Sequence, residues 1–447
     1  MNKPAQHLRL MAGSTIGSVV EWYDFFVFAT CAVLVFDKAF FPTADRYTGI
    51  LLGLGTFAAG FLARPFGGAI FGLLGDRLGR KDTLVWSLML MGSATFAMGL
   101  LPTYAQAGLL APALLVLLRL LQGIAVGGEA TGAILIVAET VPARTRGFWT
   151  SFPMTGAAFA NLLATASIGL IQVWFGSTAF SEWAWRIPFL LSAVLVGLGL
   201  WMRRSLIEPP AFEALRKQQS VARNPLSESL RQWKAPMIQT LLLKAAENVV
   251  LYLFTTFFLV LVTQHLGLSR AWGLTALFWG SAIEIPIILL AAHASDVVGR
   301  RPVTAIGLLG ALGAAVALFS LQPNTAYQTL MAMTVLALTC HGIALGGMSA
   351  WFTELFPARV RFSALSTSYQ VASVIGGSVA PLVGTFLLDR TGTPMAVAMY
   401  AAAMIAPALL VCLICAETKG ALLDATEHEP QELDSNQGRQ LTSSVSA

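Results

Sequence analysis

The sequence predicts an all-α membrane protein of twelve transmembrane helices in two pseudo-symmetric six-helix halves. Three observations lead there. The 447-residue chain is 56% hydrophobic and only 11% charged, where soluble domains carry roughly 25% charged residues, so its apolar surface exceeds what one water-facing core can hide. The apolar residues fall in windows of about twenty, the length that crosses a bilayer. Two loop motifs also recur at nearly one offset, at equivalent places in the two halves of the chain.

In chain order the windows read as spans over 11–36, 49–74, 83–101, 107–138, 148–172, 185–202, 236–264, 271–293, 303–321, 327–353, 363–389 and 394–415. The longest polar interruption, 203–235, carries Arg203, Arg204, Arg216, Lys217, Arg223, Arg231 and Lys234. It separates an N-terminal half, 1–202, from a C-terminal half, 236–415, and a polar tail occupies 416–447. The first span is too long for a cleaved signal peptide and holds two acids. Counted on this map, eighteen Lys and Arg residues lie on the side of the N-terminus and the central linker and five on the other, which predicts cytoplasmic termini. The net charge of +5 follows from that asymmetry, and no nucleic-acid partner is expected. Trp174, Trp183 and Trp185 read as an interfacial belt near the outer ends of spans five and six. Cys31, Cys340, Cys412 and Cys415 all lie in apolar spans; no disulfide is expected, and the Cys412-x-x-Cys415 spacing reads as packing.

Within the first span, Gly17-Ser18-Val19-Val20-Glu21-Trp22-Tyr23-Asp24-Phe25-Phe26 sets two carboxylates in an apolar run. A carboxylate costs several kcal/mol at the bilayer centre, so Glu21 and Asp24 are candidate proton and substrate sites, with a helix-locking ion pair as the structural alternative. In span four, Arg119, Gln122, Val126 and Glu129 form one stripe. An arginine stays charged and needs an anion in a dry bundle, either Asp24 or the substrate. Span seven presents Lys244, Glu247, Asn248 and Tyr252 on one face, and a plain Lys244–Glu247 pair is an equal reading. Tyr369 and Gln370 in span eleven are candidate lining residues, with Asn161 and Trp279 behind them. Glu284 precedes Pro286 and is placed to accept bonds from backbone freed by that proline. Arg64 reads as a snorkelling side chain, and His341 as a proton relay or a packing donor.

Two loops repeat. Gly72-Leu73-Leu74-Gly75-Asp76-Arg77-Leu78-Gly79-Arg80-Lys81 is answered by Ala292-His293-Ala294-Ser295-Asp296-Val297-Val298-Gly299-Arg300-Arg301, and Glu139 to Arg146 by Glu354 to Arg361, at offsets of 220 and 215 residues. Duplicated halves are a known plan for secondary transporters. The first loop, with Gly72, Asp76, Arg77, Gly79 and Arg80, reads as a latch holding one access state, and Asp296 and Arg300 as its second copy, packed differently because Ala292 replaces the glycine.

This loop resembles the signature of the major facilitator superfamily. Glu21-Trp22-Tyr23-Asp24-Phe25, Ala63-Arg64-Pro65-Phe66-Gly67-Gly68, Arg119-Leu120-Leu121-Gln122-Gly123 with Gly127-Gly128-Glu129, and Glu247-Asn248 are similar to its metabolite:proton symporter branch. That branch includes carriers of citrate, 2-oxoglutarate, shikimate, dicarboxylates and proline/betaine. The resemblance implies the major facilitator fold, alternating access, and an acid on helix 1 set against an arginine on helix 4. Lys244 stands where the branch commonly carries arginine, which removes a bidentate carboxylate fork there.

Together these readings predict a proton-coupled importer of a small organic acid such as a di- or tricarboxylate, a 2-oxo acid or a shikimate-like metabolite. Asp24, Glu21 and Arg119 would couple the proton; Arg119, Gln122, Glu129, Lys244, Glu247, Asn248, Tyr252, Tyr369 and Gln370 would bind substrate. A proton-driven exporter and a non-transporting sensor are the alternatives. No P-loop, H-E-x-x-H motif or ordered triad is present, so neither an enzyme nor a cofactor or metal is expected. The expected setting is a monomer in a bacterial inner membrane, with protons and a small molecule as its only other partners.

Overall fold

The computed structural model describes residues 3–78, 80–127, 131–204, 225–421 and 423. In lipid every backbone N–H and C=O must be paired within the protein, so apolar runs of this length become helices. They are α1 (Lys3–Leu34), α2 (Arg46–Leu78), α3 (Arg80–Gly99), α4 (Leu110–Val126, then Gly132–Thr140), α5 (Arg146–Met154, then Gly156–Ala179) and α6 (Arg186–Arg204). The second half contributes α7 (Lys234–Tyr252, running on in wide π turns to His265), α8 (Arg270–Val298), α9 (Arg300–Phe319), α10 (Tyr327–Glu354), α11 (Ala358–Ala372, then Val379–Thr391) and α12 (Met395–Ile414). Among the described residues, nine spans are long and apolar enough to cross a membrane, and the shorter apolar helices Val85–Gly99, Leu110–Val126 and Arg186–Leu200 bring the number to twelve.

Element ends depart from the predicted windows where chemistry intervenes. Pro153 cannot donate a backbone hydrogen bond, and α5 breaks just after it, at Thr155. Helix α2 begins where Asp45 accepts from the N–H groups of Tyr47 and Thr48; the Thr48 side chain first, then these N–H groups, hold this exposed carboxyl below its usual pKa. Helices α7 and α11 both loosen into π turns, at Leu253–Phe257 and Ser373–Ser378, a deviation common where a helix carries function.

Within the first half α2 lies along α4, and within the second α8 and α9 lie along α10; α5 meets α8 and α2 meets α11 across the seam. The α2–α4 approach depends on glycine: a Cβ on Gly123 would run into the carbonyl oxygen of Gly60 and lie 3.0 Å from the Ala63 Cβ. That closeness seats Arg119 against the α2 backbone.

The aromatic belt is narrower than the sequence suggests. Trp174 and Trp183 are exposed, but Trp185 is fully buried, packed edge-on against Phe36, Phe40 and Phe189. The four cysteines are free and buried.

Candidate functional site

Asp24 is buried, and its nearest polar partner is on α3 rather than α4. Thr95 donates to Asp24 Oδ2 at 2.6 Å and accepts from Gln122 Nε2 at 2.7 Å. Gln122 Oε1 in turn accepts from Arg119 Nη1. The expected direct Asp24–Arg119 pair is therefore corrected to a relay, Arg119 to Gln122 to Thr95 to Asp24, in which every donor points toward the carboxylate.

Arg119 is fully buried, its guanidinium carbon over the rings of Phe25, Phe28 and Phe57 at 4.5, 4.0 and 4.9 Å. Arg64 does not snorkel. It is buried, 4.4 Å from the Phe25 centroid and 4.2 Å from that of Phe61. These contacts use the ring quadrupoles and leave guanidinium N–H groups unspent: Nε and Nη2 of both arginines have no hydrogen-bond partner among the described residues. On α1, Asp24 turns to α3, and Glu21, one turn earlier, is buried as well. Tyr252 reaches from α7 into the first half, its ring centroid 5.6 Å from Phe57, 5.7 Å from Phe61 and 6.5 Å from Trp22, with a hydroxyl that has no hydrogen-bond partner among the described residues.

In the second half, Lys244 Nζ pairs with Glu247 Oε2 at 2.5 Å and lies 4.5 Å from the Tyr369 centroid. Glu284 is corrected: its carboxylate bonds His341 Nδ1, while His341 Nε2 faces Glu247 Oε1 at 3.2 Å. A buried carboxylate with an imidazole nitrogen in reach has a partner other than its own backbone. Asn248 donates to Ser373 Oγ at 3.4 Å. Gln370 donates to the Gly127 carbonyl at 3.4 Å and Tyr369 donates to Met154 Sδ at 3.9 Å, both across the seam. Asn161 also spans the seam, to Ser281, whereas Trp279 is exposed and does not line this region. Glu129 lies outside the described residues.

At the end of the bundle where the described chain starts and stops, charged groups of the two halves meet. Asp296, at the end of α8, accepts from the N–H groups of Gly147 and Phe148 at 2.8 and 2.9 Å; these open α5 of the other half, where a helix dipole favours an anion. Arg300 bonds Asp296, Ser295 and Glu354, and Glu354 also accepts from Arg146 at 3.0 Å. Arg361 bonds Glu139 at 3.1 Å. The second copy does pack differently: the close approach is made by Gly147 of the other half, where a Cβ would sit 2.8 Å from the Ala292 carbonyl and from Asp296 Oδ1. For the first loop copy, Gly79 lies outside the described residues, and only backbone is described at Gly72, Asp76, Arg77 and Arg80.

Sequence reasoning missed Thr95, the Phe25–Phe28–Phe57 cage and Glu417, which accepts from the N–H groups of Arg300 and Arg301 at the start of α9. The phenylalanine spacing along α1 and the single threonine in α3 at that depth were visible signals, but nothing local aimed them at Arg119 or Asp24.

The family model described as "Sugar (and other) transporter" matches residues 10–241 and 224–429. The chain is 38% identical over 421 residues to the inner membrane metabolite transport protein YhjE of Escherichia coli (strain K12), covering 92% of this chain and 94% of that one. It is 37% identical to the shikimate transporter of the same organism, covering 92% and 93%. Among solved structures, the proton:xylose symporter XylE bound to 6-bromo-6-deoxy-D-glucose superposes with a TM-score of 0.75 at 18% identity, covering 95% of this chain and 98% of that one.

Proposed function

Because the chain belongs to the sugar (and other) transporter family of the major facilitator superfamily, in its metabolite:proton symporter branch, and is thus a membrane transporter of small molecules and not an enzyme, we propose that it is a proton-coupled importer of a small organic acid. Its setting would be a bacterial inner membrane with both termini cytoplasmic. The observation that carries this reading is the pair Arg64 and Arg119, buried together with four guanidinium nitrogens unspent. A carboxylate is the ligand that such donors bind bidentately, and likeness to a shikimate transporter supports an organic acid.

Charge counting links cargo to proton. Among the described residues, the buried charges of α1, α2 and α4 at this depth are two guanidiniums, Arg64 and Arg119, and two carboxylates, Glu21 and Asp24. Ionised, this set is neutral. A proton on Asp24 leaves it one positive charge in excess, which a dry bundle tolerates poorly. One carboxylate of the substrate restores the balance. The relay through Thr95 and Gln122 carries the change: once Asp24 is neutral, the donor chain from Arg119 loses its anionic end, and the guanidinium turns to the substrate. Release of the proton after the halves rock inward restores the chain and expels the cargo. The latch at Asp296 and Gly147 would hold the cytoplasmic side shut during loading.

The test is uptake into liposomes reconstituted with the purified chain, preceded by a thermal-shift screen of dicarboxylates, tricarboxylates, shikimate, aromatic acids and betaine. A ligand at a hundred times its Kd raises stability by about 2.7 kcal/mol. Accumulation of an acid under an inward proton gradient is expected. Loss of label from preloaded vesicles under that gradient would mean an exporter, saturable binding without flux a sensor, and a shift with betaine alone would overturn the organic-acid assignment.

A further inference from the structure

Away from the arginines, the second half holds its own closed set of ionisable groups. Glu247 of α7, Glu284 of α8 and His341 of α10 are all buried, and both ring nitrogens of His341 face carboxylate oxygens, Nδ1 that of Glu284 and Nε2 that of Glu247. A neutral imidazole has one N–H and one lone pair. With both carboxylates ionised, a neutral ring would therefore aim a lone pair at an oxygen lone pair, out of reach of solvent. The geometry requires a proton on the second nitrogen or on one carboxyl.

The charges agree. Lys244, paired to Glu247 at 2.5 Å, supplies one positive charge against two glutamates, so the cluster is neutral only when it holds one proton more. Among the described residues the other ionisable neighbours are tyrosines, Tyr252 and Tyr369, which supply no positive charge. The neighbouring groups are Lys244 and Glu247 from α7, Glu284 from α8, and Tyr369 from α11 over the lysine. The stretch of α9 from 302 to 319 and that of α5 from 148 to 173 carry no ionisable side chain.

We propose that Glu247, His341 and Glu284 form a second proton-binding site, separate from Asp24, whose occupancy holds α7 against α8 and α10 and whose proton is exchanged in each transport cycle. This rests on the reading of the chain as a proton-coupled carrier. Loaded, the three helices are joined by two charge-assisted bonds. Unloaded, the same contacts turn repulsive, and α7, already loosened by its π turns at Leu253–Phe257 and Leu261–His265, is the element free to move. The substrate-binding face of α7, with Asn248 and Tyr252, moves with it. In a closed state the site cannot lose its proton without burying a net negative charge, so release awaits opening.

The site itself is read without transport. In the ligand-free full chain at pH 7, nitrogen-15 NMR of the histidines, with the His341 signals identified by their absence in His341→Gln, is expected to show an imidazolium. Failing that, infrared difference spectra must show a protonated carboxyl band that disappears in Glu284→Gln. A neutral ring with no protonated carboxyl overturns the proposal. Glu284→Gln removes one negative charge and with it the need for the proton, so in liposomes it is expected to lower the proton-to-substrate ratio by about one while substrate counterflow persists. Asp24→Asn, by contrast, leaves the spectral signature intact. An unchanged ratio in both Glu284→Gln and His341→Gln would reduce the cluster to a structural ion network and overturn the exchange. If no acid is transported at all but the spectra show the proton, the functional reading fails and the site stands.

Discussion

Arg64 of α2 and Arg119 of α4 both stand over the ring of Phe25, with guanidinium carbons 4.4 and 4.5 Å from its centroid. One aromatic side chain of α1 thus holds two buried cations of neighbouring helices in a single constellation, without consuming their remaining N–H groups. The constellation is preorganised for an anion, and lysine cannot reproduce it, because an ammonium lacks the planar fork. Arg64→Lys and Arg119→Lys are each expected to weaken binding of the transported acid by about 10- to 150-fold, the loss of one charge-assisted contact of about 1.5–3 kcal/mol. Titration calorimetry on the purified variants reads this directly; wild-type Kd in both would remove the arginines from the binding site.

Asp24 ends the donor chain through Thr95 and Gln122. Asp24→Asn fixes that end in a neutral form, so accumulation driven by a proton gradient is expected to fall steeply, to no more than the share carried by the second proton site, while exchange of labelled for unlabelled substrate continues. If the variant concentrates substrate normally, Asp24 is not the coupling acid.

Thr95 is the one link on α3. Thr95→Val leaves Asp24 Oδ2 and Gln122 Nε2 without their shared partner, at a cost of about 1–3 kcal/mol, whereas Thr95→Ser keeps the hydroxyl. The pH profile of exchange is expected to shift in the valine variant and to return in the serine variant. Identical profiles for all three proteins would mean that the relay carries no signal.

Gly147 faces the Ala292 carbonyl and Asp296 with no room for a methyl group. Gly147→Ala is expected to break the α5–α8 latch and move the two-state equilibrium toward the conformation open at the end carrying the termini. A shift of about 2 kcal/mol is roughly 30-fold in the population ratio. Rates of thiol labelling at single cysteines introduced along that seam measure it, and unchanged rates would show that the latch does not set the resting state.

The tail adds contacts at the same end of the bundle. Arg146 and Arg361 donate to the carbonyls of Ala421 and Leu423 at 2.7 and 3.0 Å, and Glu417 sits on the first N–H groups of α9. A chain ending at residue 415 is expected to label faster in the Gly147→Ala assay, while one ending at residue 423 behaves as the full chain. Equal rates for both truncations would dissociate the tail from gating.

How much of this was legible follows from what each feature depends on. The bilayer imposes one rule on every span, that the backbone satisfy itself, so windows of apolar residues were enough to locate twelve helices, and their repeated loops were enough to pair the halves. Buried charge has an equally general consequence, which is why Asp24, Arg119, Lys244 and Glu247 stood out before any coordinates. Partner choice does not follow from such rules. Whether Asp24 meets Arg119 directly or through Thr95, whether Arg64 reaches for the headgroups or lies beneath Phe25 and Phe61, and whether Glu284 turns to its own backbone or to His341, all depend on rotations and depths of helices far apart in sequence. Composition and periodicity determined that this chain crosses a membrane in two like halves with charge inside it. Only the packing, in which a one-residue change of helix facing moves a side chain by about 100° around the axis, decided which charges meet and which guanidinium nitrogens stay unspent.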